Sequence, residues 1–249
     1  MHDSNSVHCS ECDDQDHQHG AIRHELLNHL PFSVSAVAIG LAIAGVIGYL
    51  TPEGHPTMPA ADEHGHDLPS TMVLFHLFHP VHVFFSAATT TAMFWRYEKA
   101  LVKSVVIGLA GSVGVCGFSD IVFPQFALMI MGQKTPWHVC VVEHPGLVLP
   151  FAVVGIGVGL GAAAGVSRST LFSHSLHVLA STLASIFYLV ANLNLFDWVS
   201  RIGQVFVFMI VAVMLPCCVS DIMFPLLMST REAREKAMAH HHHEMVHRH

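Results

Sequence analysis

Long uncharged stretches are the feature that most constrains this chain of 249 residues. Charged residues make up 12% of the sequence, about half the usual share, whereas 52% of the residues are apolar. Each uncharged stretch, with its flanks, supplies the roughly 20 apolar residues that a membrane-spanning helix needs. We therefore predict an all-α integral membrane protein with six transmembrane helices. The stretches are 30–50, 71–95, 104–119, 146–167 and 171–196, with 202–230 interrupted only by Asp221.

Three short elements occur twice, in the same order, along the chain. LPFSVSAVAIGLAIAG (30–45) pairs with LPFAVVGIGVGLGAAAG (149–165), HPVHV (79–83) with HSLHV (174–178), and CGFSDIVFP (116–124) with CCVSDIMFP (217–225). Each element falls in a different predicted helix, so the chain reads as a duplicated three-helix unit. Because three is odd, the second unit enters the membrane from the opposite side, and we predict two inverted three-helix repeats.

The Lys and Arg residues give the predicted orientation. Nine of the 11 lie on the side of the N-terminus, which by the positive-inside rule makes both termini cytoplasmic in a multi-pass protein of the cell (inner or plasma) membrane. The predicted organisation has four parts. They are a His/Cys/Asp-rich tail at 1–23, a first repeat at 24–132 with an external His-rich loop at 51–70, a second repeat at 133–230, and a His-rich tail at 231–249.

Two aspartates lie within the apolar stretches. Asp120 and Asp221 are each followed four residues later by a proline, which leaves the aspartate's own carbonyl without its helical donor. An aspartate deep in a spanning helix costs about 2.5–3.5 kcal/mol, so it normally pairs or lines a polar cavity. Cys116 and Cys217, four residues earlier, share that helix face and are weaker metal candidates. The alternative is a duplicated kink whose Ser-Asp caps the broken helix.

Two histidine pairs lie in equally apolar surroundings. His79 and His82, and later His174 and His177, are one helical turn apart and so share a helix face. Imidazole is a favoured ligand of zinc, nickel, cobalt and copper ions, with carboxylate or thiolate completing the set. A proton relay and purely structural hydrogen bonding are the alternatives.

A carboxylate and an imidazole precede each LPF element. They are Glu25 and His29 before the first copy, and Glu143 and His144 before the second, where His138 and Cys140 also lie. The inverted topology then predicts two stations for a cation. The outer one contains His79, His82, Asp120, Glu143 and His144. The inner one contains His174, His177, Asp221, Glu25 and His29.

The soluble segments are also rich in metal-ligating residues, a composition typical of metal handling. Cys9 and Cys12 in the N-terminal tail, and His64 and His66 in the external loop, are weaker metal candidates. We expect the bilayer and metal ions as partners, with a soluble metal chaperone or a second copy of the chain as further candidates. The net charge of −7 argues against nucleic acid.

One helix contains a ladder of glycines from Gly155 to Gly165. Its flanks are apolar and no strand precedes it, which excludes a nucleotide-binding loop. Small residues at four-residue spacing allow helices to approach closely, and we predict that Gly157, Gly161 and Gly165 form such a contact.

These features predict a secondary transporter or permease for a divalent transition-metal cation of the zinc, nickel, cobalt or copper class, and not an enzyme. The ion would move between intramembrane His, Asp and Glu sites at the interface of the two repeats. The first alternative is a membrane redox protein in which the paired histidines bind haem b or copper. The second is a membrane metal-sensing or metal-chaperone scaffold.

Overall fold

The computed structural model is helical, and the residues that it describes contain no strand. This confirms the predicted all-α class. The described residues are 10–51, 70–162, 169–193, 195–218, 220 and 224–230, and side chains are described there except at 10–29, 162, 169–174, 218 and 226.

Ten α-helices lie in this part of the chain. They are α1 (Ser10–Leu50), α2 (Ser70–Tyr97), α3 (Leu101–Leu109), α4 (Phe123–Ile130), α5 (Cys140–Glu143), α6 (Pro145–Ala162), α7 (Ser169–Ala191), α8 (Leu195–Val199), α9 (Ile202–Cys218) and α10 (Phe224–Met228).

Three helical segments are long and apolar enough to cross a membrane. They are Leu30–Leu50, Ser70–Tyr97 and Leu101–Ile130. Shorter apolar helices are described at Pro145–Gly161, Ser175–Ala191 and Ile202–Cys217. Many large apolar side chains on these helices are exposed, as expected for surfaces that face lipid. The helices are thus compatible with a membrane protein, whereas the count of six spans and their inverted arrangement stay predictions.

Helix α2 is central to the packing, with its most extensive contacts to α7 and α6. The close approach to α6 is made by Gly155 and Gly159, where an added Cβ would collide with the carbonyl oxygens of Phe84 and Ala88. The predicted contact through Gly157 and Gly161 is wrong, because a Cβ at either position would meet open space.

The remaining member of that predicted contact, Gly165, lies outside the described residues. The helix therefore packs through the glycine face two residues out of register with the predicted one. Spacing alone predicted a close contact but did not identify which of the two glycine faces makes it.

The segment between α3 and α4 departs from α-helical geometry. Two π-helical turns, Ala110–Val115 and Phe118–Val122, widen the backbone before Pro124, which lies in the first turn of α4. Pro124 has no amide hydrogen for the carbonyl of Asp120, so an irregularity here is the expected local consequence of the sequence. Such turns are often found at functional sites, and this one contains Asp120.

Candidate metal centre

Two buried histidines meet where α2 packs against α7. The rings of His82 and His177 are fully buried, and their centroids are 4.6 Å apart with an interplanar angle of 43°. These residues occupy equivalent positions in the two sequence copies. The sequence analysis assigned them to separate stations, whereas the structure brings them into one centre.

Thiols lie beside these rings. The Cys116 Sγ is 3.4 Å from the His82 Nε2, and the possible ligand atoms of His82, Cys116 and His177 all lie within 4.8 Å of one another. Cys217, the counterpart of Cys116 in the second copy, is also buried and interacts with His82, but it is not one of the three residues whose ligand atoms all lie within 4.8 Å of one another. One buried position thus gathers two imidazoles and one thiol, and a second thiol from the other copy lies beside His82.

Asp120 fixes the orientation of two imidazoles. Its Oδ2 accepts hydrogen bonds from the Nδ1 of His79 at 2.8 Å and from the Nδ1 of His82 at 2.7 Å. An ionised carboxylate only accepts, so each of these Nδ1 atoms bears a hydrogen, and in the neutral ring each Nε2 keeps a lone pair. This is the usual outer-shell arrangement of a metal-binding histidine, in which a carboxylate sets the tautomer and ring orientation. This arrangement favours an orienting role for Asp120, whereas its role as a direct ligand stays a prediction.

The other oxygen of Asp120 is satisfied by hydroxyl groups. Oδ1 accepts hydrogen bonds from Ser119 at 3.0 Å, Ser181 at 3.2 Å and Ser185 at 3.3 Å. A buried carboxylate is tolerated when such donors replace its lost hydration. Five donors in all surround this carboxylate, which explains how it is accommodated among apolar helices.

The hydroxyl contacts around Ser119 recur at the equivalent positions around Ser220. Ser181 and Ser185 contact Ser119, with the Ser185 hydroxyl 3.0 Å from the Ser119 carbonyl oxygen. Their counterparts Ser86 and Thr90 contact Ser220, the counterpart of Ser119, with each hydroxyl 3.3 Å from the Ser220 hydroxyl. The two copies thus donate hydroxyls to each other in the same pattern.

His79 connects the centre to a cavity. On one side its ring stacks on Phe75, with centroids 5.2 Å apart and an interplanar angle of 21°. On another side it lines a cavity of about 210 Å³, whose walls are otherwise apolar apart from the Trp137 indole. His79 is therefore the polar group through which this cavity reaches the Asp120 carboxylate.

A second cluster of histidines lies nearer the N-terminal end of α2. His76 and His138 are half-buried, His144 is exposed, and one ligand atom from each lies within 4.8 Å of the others. The Nε2 atoms of His76 and His138 are 2.9 Å apart. We call His76, His138 and His144 the entrance cluster, and His82, His177, Cys116 and Cys217 the buried centre.

Glu143 holds one histidine of the entrance cluster in place through hydrogen bonds. Its carboxylate accepts hydrogen bonds from the Val139 amide at 3.0 Å and from the His138 Nδ1 at 2.6 Å. The Val139 amide and the neighbouring His138 hold the pKa of Glu143 below its usual value. Burial, together with the charge of Glu143, raises the pKa of the Cys140 thiol to about 11, so that Cys140 stays protonated beside the cluster.

The structure thus gathers most of the predicted intramembrane ligands that it describes. The buried centre and its supports contain His79, His82, Asp120, His177, Cys116 and Cys217, and the entrance cluster contains His144 with Glu143 as its support. Cys9, His64, His66 and Asp221 lie outside the described residues. For Cys12, Glu25, His29 and His174 the backbone is helical, but the side chains are not among those described.

The sequence analysis missed three residues of these sites. His76 lies one turn before His79, so the spacing that identified the first histidine pair extends back by one more turn. Ser181 and Ser185 could not be recognised, because hydroxyl residues are common in apolar helices and usually bond their own backbone. Comparison of the chain with known protein families, curated proteins and solved structures gives no match.

Proposed function

We propose that this protein is a secondary transporter or permease for a divalent transition-metal cation, with the buried centre as its transport site. The observation that carries the proposal is the meeting of His82 and Cys116 with His177, the counterpart of His82 in the second copy, next to a carboxylate that orients His82. No soluble catalytic domain is recognisable in the sequence, so a gradient or a partner chain would supply the energy for uphill movement.

The donor set favours particular metals. His82, His177 and Cys116 supply three ligands, and Cys217 would complete the common zinc set of two imidazoles and two thiols by moving closer. Copper also binds such soft and borderline ligands. Two thiolates would neutralise the two charges of the ion, which lowers the cost of holding a dication among apolar helices. Zinc is therefore the first candidate, copper the second, and nickel and cobalt follow.

The architecture we propose is six spans arranged as two inverted repeats, with cytoplasmic termini in a cell membrane. It is supported by the three long apolar helices and by the reciprocal hydroxyl contacts of the two copies. It is also supported by the packing of helices from one copy against helices of the other. Helix α2 of the first copy packs on α6 of the second, while α7 of the second packs on α1 of the first. A site between two such repeats is the usual location in secondary transporters.

The haem alternative is disfavoured by the geometry of the two central histidines. Two axial imidazoles must face each other across a porphyrin, whereas the rings of His82 and His177 are in direct contact. A metal ion between their nitrogen atoms needs only small adjustments of the side chains, whereas a porphyrin needs the helices to separate.

A second candidate function, that of a thiol enzyme, is suggested by three hydrogen-bonded side chains. Cys116, His82 and Asp120 have the order of a thiol nucleophile, its base and the group that orients the base. The duplication of both the cysteine and the histidine favours metal binding, since a nucleophile needs only one of each. The experiment that follows therefore also measures thiol reactivity, which would reveal a thiol enzyme.

The test compares metal content and flux in matched variants of the full-length protein. We expect His82→Ala with His177→Ala, and separately Cys116→Ser, to lose metal that co-purifies with the parent and to lose zinc uptake into liposomes. Cys140→Ser is the matched control, because Cys140 is equally buried but lies outside the centre. Unchanged metal content and flux in both test variants would contradict the proposal. Loss of metal-independent thiol reactivity alone would favour the enzyme.

A further inference from the structure

We infer that the entrance cluster is a second metal site, which binds a divalent ion through nitrogen ligands only and exchanges it with solvent. This inference goes beyond the transport proposal, because it needs neither flux nor the buried centre. It rests on the side chains of His76, His138 and His144 and on the groups that hold them.

The hydrogen bonds of the cluster leave two lone pairs facing each other. The Nδ1 of His76 lies 2.9 Å from the carbonyl oxygen of Met72, and the Nδ1 of His138 lies 2.6 Å from the Glu143 carboxylate. Both acceptors lack hydrogens, so both Nδ1 atoms must donate, and in neutral rings both Nε2 atoms are acceptors.

Those two Nε2 atoms are only 2.9 Å apart. Two lone pairs at that distance repel unless a cation lies between them. A shared proton fits the distance as it stands, whereas a metal ion with Zn–N bonds of about 2.0–2.1 Å needs the two nitrogens to move slightly apart. The ring of His144 approaches both, with centroids 5.2 Å from His76 and 5.6 Å from His138. A third imidazole adds nothing to a shared proton but completes a three-histidine metal site.

The support of His138 is that expected for a metal ligand. A carboxylate that accepts from the other ring nitrogen increases the basicity of the ligand and fixes its orientation. The exposed position of His144 allows water to take the fourth position on the ion. A site with three histidines and an open position exchanges ligands readily, in contrast to a closed four-ligand site.

The entrance cluster is physically separate from the buried centre. His76 and His82 are six residues apart on α2, about 9 Å along the helix axis. The fully buried ring of Phe75 contacts His138 of the entrance cluster and also His79, with centroid distances of 6.1 Å and 5.2 Å, and His79 in turn is hydrogen-bonded to Asp120 beside the buried centre. The two sites also differ in chemistry, since the entrance ligands include no thiol.

The test uses cobalt as the probe, because a thiolate ligand gives a charge-transfer band that nitrogen ligands do not. The background is the full-length chain with Cys9→Ser and Cys12→Ser, which removes the thiols of the N-terminal tail. We expect His144→Ala, and separately His76→Ala with His138→Ala, to bind one cobalt fewer per chain while the thiolate band is unchanged. His144 is exposed, so its replacement is not expected to affect folding.

A third variant tests the support. Glu143→Gln should weaken cobalt at the entrance by about 10- to 100-fold without abolishing it. His82→Ala with His177→Ala is the reciprocal control, which should lose the thiolate band and keep the entrance ion. An unchanged number of bound ions in both entrance variants would overturn the inference. If the transport proposal fails and this inference holds, the background chain should show no thiolate band and should still bind cobalt at the entrance cluster.

Discussion

The two histidine clusters of α2 use the same side chain in opposite ways. In the buried centre, histidines and cysteines from both copies lie close together, and none of these side chains is exposed. In the entrance cluster, three histidines lie at a surface where solvent can reach the exposed His144. Each cluster includes a histidine whose Nδ1 is held by a carboxylate, Asp120 for His82 and Glu143 for His138.

The difference indicates a division of roles. A closed site with thiols holds a metal ion tightly and selects for soft or borderline metals, whereas an open site with imidazoles alone captures and releases ions quickly. The transport that we propose needs both properties, since an ion must enter readily and be recognised before it crosses.

The largest effect should come from removing the two central imidazoles. His82→Ala with His177→Ala removes both imidazoles of the buried centre, and we expect at least a 100-fold loss of metal affinity and no detectable flux, since even an orienting residue is worth about 10- to 100-fold. His76→Ala with His138→Ala should only raise the metal concentration for half-maximal flux. Zinc flux into liposomes over a range of concentrations measures both. Equal losses in the two variants would remove the distinction between the clusters.

A smaller effect is expected from Asp120→Asn. The amide keeps the size of the side chain but replaces one acceptor oxygen by a donor, so His79 and His82 no longer share a carboxylate. Because Asp120 acts through His82, metal affinity should fall about 10- to 100-fold while the number of bound ions is unchanged. Isothermal titration with zinc measures the affinity and the number together. Complete loss of the ion would show that Asp120 is itself a ligand.

A kinetic effect is expected from Phe75→Leu. The ring of Phe75 contacts His138 of the entrance cluster and also His79, which is hydrogen-bonded to Asp120, and leucine keeps an apolar side chain there while removing the stack on His79. If the ring contributes about 1 kcal/mol to the barrier, transfer from entrance to centre should be about fivefold faster. Stopped-flow growth of the cobalt–thiolate band measures that rate. A slower rate with unchanged binding at both sites would mean that the ring guides the ion and does not impede it.

The smallest effect is expected from a change outside both clusters. Lys103 and the Thr230 amide hold the pKa of Glu98 below its usual value, with the Lys103 Nζ 3.0 Å from the carboxylate. A lowered pKa in the folded state stabilises the protein above the unfolded pKa, and the benefit is lost as the pH falls through the folded value. Glu98→Gln should therefore slightly lower the Tm at pH 7 but not at acidic pH, with both metal sites intact. An equal loss of Tm at both pH values would contradict this account.

Sequence patterns predicted much of this arrangement because they report on helix faces. The spacing of His79 and His82 placed both on one face, and the repeat of the SDI-x-FP element paired Cys116 with Cys217 and Asp120 with Asp221. The all-α class followed from the uncharged windows, and the described residues confirm it.

Depth and register could not be predicted in the same way. The inverted topology suggested that His82 and His177 lie on opposite sides of the midplane, but their rings are in contact, with centroids 4.6 Å apart. Which glycines of α6 face α2, and which serines reach Asp120, depends on the relative rotation of packed helices. That rotation is set by side-chain fit across the interface and leaves no periodic signal in the sequence.

The central claim is that one buried position binds a metal through imidazole and thiolate together. X-ray absorption of the zinc-loaded full-length chain tests it directly, with Cys9→Ser, Cys12→Ser, His76→Ala and His138→Ala removing the tail thiols and the entrance site. The account predicts a mixed shell, with sulfur at about 2.3 Å and nitrogen at about 2.0–2.1 Å. The sulfur contribution should disappear when Cys116 and Cys217 become serine and persist in the Cys140→Ser control. A shell of nitrogen and oxygen alone would contradict the claim.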